Sequence, residues 1–136
     1  MVPPGSKGGC HTLWVLGHLA YIEALVIREF MLGGSSPLAD WEEMFDGTEV
    51  SGKTEDFVPF DRALAECRAT RASTISLLES LDEDDLDQTS ASAPNGTDGL
   101  FGTYRRCFQY AADHWFMHRG QLADARRVAG LDRMWY

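Results

Sequence analysis

The stretch His114-Trp115-Phe116-Met117-His118-Arg119-Gly120-Gln121 places two imidazoles four residues apart inside a strongly helical run. Residues at i and i+4 of a helix share a face one turn apart, so both rings project in the same direction. That is how one helix supplies half of a metal site. The helix around them is predicted from about Leu100 to Ala129, with Gly130 as its C-terminal cap. Its apolar stripe is Tyr104, Phe108, Ala111, Trp115, His118, Leu122 and Ala125. His118 therefore lies on the buried seam and His114 on its shoulder.

Working outward, a second apolar helix is predicted from Thr12 to about Leu32, stopped by Gly33-Gly34-Ser35-Ser36-Pro37. Trp14, His18, Ile22 and Leu25 mark one face, yet the opposite face carries Leu16, Leu19, Ala20 and Val26. A helix apolar nearly all round has to be covered on several sides. A third helix is expected from Pro59 to Leu81, with Phe60, Leu64, Cys67, Thr74, Leu78 and Leu81 as its stripe and Arg71 interrupting it. Between these helices lies a long crossing connection with a possible short helix at Leu38 to Phe45. The acidic run Asp82-Glu83-Asp84-Asp85 and the small, polar segment Ser90 to Gly99 form a loop. No useful strand alternation and no repeat is visible, so the class is all-α, with long near-antiparallel helices. Residues 1–136 are read as one domain, with residues 1–10 irregular.

Twelve Lys and Arg against 21 Asp and Glu give a net charge of −9, which repels phosphate backbones and anionic lipid surfaces. Neither a nucleic-acid partner nor a membrane is expected. The apolar run Leu13 to Ile27 contains His18 and Glu23 and is too short for a bilayer span. Cys10, Cys67 and Cys107 are odd in number, far apart and without CxxC spacing, so a reducing cytoplasm is the simplest compartment.

His18 is the only histidine in the first long helix, and it lies on an apolar seam like His118. Three imidazoles from two helices can meet at one divalent ion; the alternative is three hydrogen-bonded core histidines. The spacing alone leaves both readings open. Trp14-Val15-Leu16-Gly17-His18-Leu19-Ala20, followed late in the chain by His114-x-x-x-His118-Arg119-Gly120-Gln121-Leu122, resembles the DinB/YfiT-like superfamily of metal-binding four-helix bundles. The resemblance covers about residues 9 to 130 and matches in order, separation and flanking residues. It implies an up-down-down-up bundle with a long crossover, in which His18, His114 and His118 hold a divalent ion, zinc or nickel first and iron as a further option. Members normally carry a full helix ahead of the segment resembling Gly9 to Trp14; here about ten Pro/Gly-rich residues precede it. Three long helices and a short one are therefore expected, with an apolar flank that a homodimer would conceal.

The resemblance also implies a reaction class. Characterised relatives include transferases and isomerases that use low-molecular-weight thiols such as bacillithiol or mycothiol, with the metal activating the thiol toward an electrophile. Hydrolysis by activated water is the sibling chemistry. The competing expectations are a non-catalytic metal-binding stress-response or dimerisation module and a vestigial bundle. Around the triad, Gln121 and Asp113 are candidates to orient a ligand, although an exposed acid is the plainer reading of Asp113. Tyr104, Tyr110 and Trp115 are candidate pocket walls or core, Arg119 is expected to bridge to an acidic loop, and Cys10 and His11 are read as a loop pair.

Overall fold

The computed structural model describes residues 12–47 and 53–132. Among them there is no strand, only an isolated bridge between Thr89 and Thr103. Helix α1, Thr12–Ala24, continues into a π-helical segment, Leu25–Met31. Leu13, Trp14, Val15, Leu19, Ala20, Tyr21 and Ala24 are all buried, so α1 is the central helix that its all-round apolar sequence predicts. The π winding was not legible in the 3.6-residue period. Val26 and Met31, five apart, are both buried in a cluster with Phe101 and Cys107, and five is the spacing that i→i+5 winding aligns.

The connection after α1 contains a 3₁₀ turn, Ala39–Trp41, and the short helix α2, Glu42–Phe45. Trp41 and Phe45 are fully buried with ring centroids 5.0 Å apart, and Phe57 adds a further ring 5.5 Å from Phe45. Burial of each such side chain stabilises by roughly 1.5–3 kcal/mol, so this crossing connection is anchored although it is mostly irregular.

Helix α3, Phe60–Glu79, runs alongside α1 in the same direction: Glu23 pairs with Arg71, and further on Arg28 donates to Ser73. A parallel pair requires a long crossover, which residues 32–59 provide. Only Ala63, Cys67 and Thr74 of α3 are buried, while Phe60 and Leu78 are exposed. Cys67 and Thr74 of the predicted stripe are thus buried and Leu64 is half-buried, but Phe60 and Leu78 at its ends are not; Ala63 joins the buried face instead, so α3 presents small residues to α1 and can approach it closely.

Helix α5, Tyr104–Val128, is antiparallel to α1: His114 and His118 meet His18, whereas the earlier Cys107 packs near Val26 and Met31. The three long helices therefore have the down-down-up order of the predicted bundle. The segment expected to start α5 at Leu100 is instead a separate short helix, α4, Asp98–Phe101. Thr103 is extended, and its hydroxyl accepts from the Arg106 N–H, capping a new helix start. At the far end Gly130 takes φ +71°, with Gly130 N bonded to Arg127 O and Leu131 N to Arg126 O. That is the Schellman closure predicted for Gly130. No helix among the described residues is long and apolar enough to cross a membrane.

Candidate metal centre

His18 comes from the middle of α1, His114 and His118 from successive turns of α5. His114 and His118 are buried and His18 is half-buried. The Nε2 atom of His114 lies 3.1 Å from Nε2 of His18 and 3.1 Å from Nε2 of His118. All three residues offer a ligand atom within 4.8 Å of the others.

The other nitrogens of two of these rings are committed elsewhere. His18 donates its Nδ1 proton to the Phe45 carbonyl at 2.7 Å, and His118 donates its Nδ1 proton to Gln121 Oε1 at 2.9 Å. Such bonds fix the tautomer and leave each Nε2 as a bare lone pair. Both lone pairs face the same atom of His114. A proton on His114 Nε2 can satisfy one of them well; the other contact then has no comparable donor. A cation among the three nitrogens resolves the conflict. His114 Nε2 at 3.1 Å from each of the other two, with all three ligand atoms within 4.8 Å, is close enough for the imidazoles to share one ion. The residues present therefore fit a divalent metal.

The rings are held by neighbours before any ion arrives. Trp14 stacks on His18 with centroids 4.3 Å apart, and Tyr110 stacks on His114 at 5.4 Å. Gly17 explains how the Phe45 carbonyl reaches His18. A Cβ at position 17 would lie 2.1 Å from Cε1 of the Phe45 ring, so only glycine lets α2 press against α1 there. Burial lowers the pKa of all three histidines. His114 falls to about 4, through desolvation first and then the proximity of the other two rings. In His18 the Phe45 carbonyl opposes the burial effect, and in His118 Gln121 does so. Neutral imidazoles are what a metal requires.

The structure brings together His18, His114, His118 and Gln121, and it does not bring Asp113 to them: that side chain is exposed. Tyr110 is a wall of the site, whereas Tyr104 packs on the second apolar cluster. Trp115 turns to α1 and donates its indole N–H to Glu23 Oε2 at 2.7 Å. Arg119 is exposed, with its guanidinium 5.8 Å from the Phe116 ring centre. Cys10 and His11 lie outside the described residues.

Sequence reasoning missed the group that ties the three long helices together. Glu23 is 2% exposed, forms a 2.7 Å ion pair with Arg71, and shares Oε2 with Trp115; the Arg71 guanidinium covers the Trp115 ring at 4.4 Å. The group braces α5 immediately beside His114. Its signal was present: an acid interrupts the apolar surface of α1 and a base interrupts that of α3, and buried charges need partners. The Phe45 carbonyl left no such signal, because backbone atoms are the same at every residue.

The bundle and its three converging imidazoles define an all-α protein with a cluster able to hold a divalent ion. More particularly, the chain belongs to the DinB superfamily, whose family model matches residues 3–122. No curated protein and no solved structure matches the chain.

Proposed function

We propose that this chain is a cytoplasmic enzyme that binds zinc or nickel through His18, His114 and His118 and activates a low-molecular-weight thiol, or water, toward an electrophile. The convergence of three neutral Nε2 atoms, with the Nδ1 protons of His18 and His118 already engaged, supports this reading more than any other observation. A bound divalent ion would supply Lewis acidity, lowering the pKa of a thiol or water at the position that three protein ligands leave open. The protein's share is to keep the imidazoles neutral, orient them through the Phe45 carbonyl and Gln121, and wall the site with Trp14 and Tyr110. No protein nucleophile is needed. Cys67 is unsuited to that role, since burial and the neighbouring Glu23 raise its pKa to about 11.

The test is cobalt-loaded protein titrated with a panel of cellular thiols, followed by assay of transfer to a generic electrophile. A thiol that perturbs the cobalt spectrum and is consumed only when metal is present supports the transferase. Absence of both effects with every thiol removes it, and turnover of an ester substrate by the same protein would favour the hydrolase. A homodimer forms part of the proposal. Phe116 and Met117 stand 66% and 54% exposed between the two histidines of α5, an apolar pair suited to burial against a second copy. Elution of the metal-loaded chain as a monomer at assay concentration would refute that part.

A further inference from the structure

A cavity of about 270 Å³ opens between α1 with its π-helical continuation and α2. Tyr21, one turn beyond His18, and Phe30 are its aromatic walls; Glu29, Glu42 and Asp46 supply the polar ones. Its position relates it to the triad in two ways. Asp46 directly follows Phe45, whose carbonyl holds His18. From the other wall, Phe30 packs on Phe101, Phe101 on Tyr110 and Tyr110 on His114, with centroids 5.2, 4.7 and 5.4 Å apart.

The lining is one-sided in charge. It has three carboxylates and no Lys or Arg. Arg28, next to Glu29 in sequence, turns away and donates to Ser73 of α3, where it lines a different cavity. The ion pairs formed among the described residues use Glu23, Glu83, Asp87 and Asp124, and none of the three cavity acids. Glu29 Oε1 and Asp46 Oδ1 each accept one backbone N–H, from Ser36 and Gly47, which leaves their second oxygens for a ligand. Tyr21 is only 3% exposed, lines the cavity, and its hydroxyl makes no hydrogen bond among the described residues. The oxygen is not sealed in the core but opens on the cavity, where it can meet a polar group.

Carboxylates arranged with aromatic faces are the combination that recognises an organic ammonium group: the charges attract it, and the rings accept its N–H and C–H surface. We infer that this cavity is the recognition pocket for a small substrate carrying a primary ammonium group. The volume is just under the roughly 300–1,000 Å³ of most small-molecule sites, which suits a compact amine. The pocket selects against anionic substrates for the same reason. This inference rests on the metal-dependent reading for its purpose, and binding tests it independently.

The experiment is calorimetric titration of the zinc-loaded full chain at low ionic strength with 1,4-diaminobutane, with 1,4-butanediol as neutral analogue and succinate as dianion. The diamine is expected to bind and the other two not. Glu42→Gln/Asp46→Asn, which alters exposed side chains, should weaken diamine binding at least tenfold while zinc content stays unchanged. Tyr21→Phe should weaken it several-fold. Asp61→Asn/Glu79→Gln, the same loss of charge on exposed positions of α3, should leave it intact. No diamine binding, equal binding of diol or succinate, or equal losses in the two double variants would overturn the inference. If the wild type takes up no zinc yet keeps this pattern of selectivity, the metal reading fails and the pocket stands.

Discussion

Gly17 carries a prediction whose sign separates two accounts of the same residue. On helix propensity alone, Gly17→Ala in the interior of α1 should stabilise the protein by about 1 kcal/mol. The structure predicts the reverse. The new methyl would sit 2.1, 2.3 and 2.5 Å from three atoms of the Phe45 ring, which is fully buried between α1, Trp41 and Phe57 and cannot swing into solvent. Overpacking of this kind costs about 1–3 kcal/mol and at such short distances belongs at the upper end, so the net change is a destabilisation of about 1–2 kcal/mol. Displacing Phe45 also moves the carbonyl that holds His18. Loss of such an orienting partner typically weakens metal binding by about 10–100-fold. Urea denaturation of metal-free protein measures the first effect, and competition with a chromogenic zinc chelator measures the second. A variant that is more stable than wild type and binds zinc equally well would refute the close approach of α2 to α1 and, with it, the stated reason for a glycine in the motif.

Three further outcomes follow from the same geometry. In metal-free protein the pKa of His114 is about 4 against 6.5 when unfolded, so the unfolded chain binds more protons between those values; stability present above pH 6.5 should fall by about 3 kcal/mol as pH drops to about 4, and His114→Gln should flatten that slope in denaturation curves measured across the range. Gln121→Ala should weaken zinc binding about 10–100-fold while leaving the melting temperature of metal-free protein nearly unchanged, because Gln121 is exposed and its partner is His118. Arg71→Met leaves Glu23 buried without its cation and should cost about 3–5 kcal/mol by urea denaturation, whereas Glu23→Gln in the same background should recover part of the loss; no recovery would contradict the ion pair.

How much of this could be seen in the residues depends on the kind of interaction. The triad was legible because imidazoles are chemically distinctive and the helical period places His114 and His118 together. The central position of α1 was legible because no polar face exists for it to turn to water. The break between Phe101 and Tyr104 was not, since Leu100, Phe101 and Tyr104 continue an apolar pattern and only the extended backbone at Thr103 interrupts it. The exposure of the bulky ends of the α3 stripe was equally hidden. Phe60 and Leu78 outweigh Ala63 on any hydropathy reading, yet close approach to α1 favours the smaller side chain. Asp113 was a candidate by adjacency to His114 in sequence, and one residue along a helix is a turn of about 100° away from the site.

Three imidazoles from α1 and α5 are placed to hold one divalent ion. Metal analysis of the purified chain after incubation with zinc or nickel and removal of excess by gel filtration tests it most directly, with His18→Ala, His114→Ala and His118→Ala treated in parallel. One ion per wild-type chain is expected, with loss of it in each variant, most completely in His118→Ala. A wild-type chain that takes up no ion, or a His18→Ala chain that keeps a full complement, would contradict it.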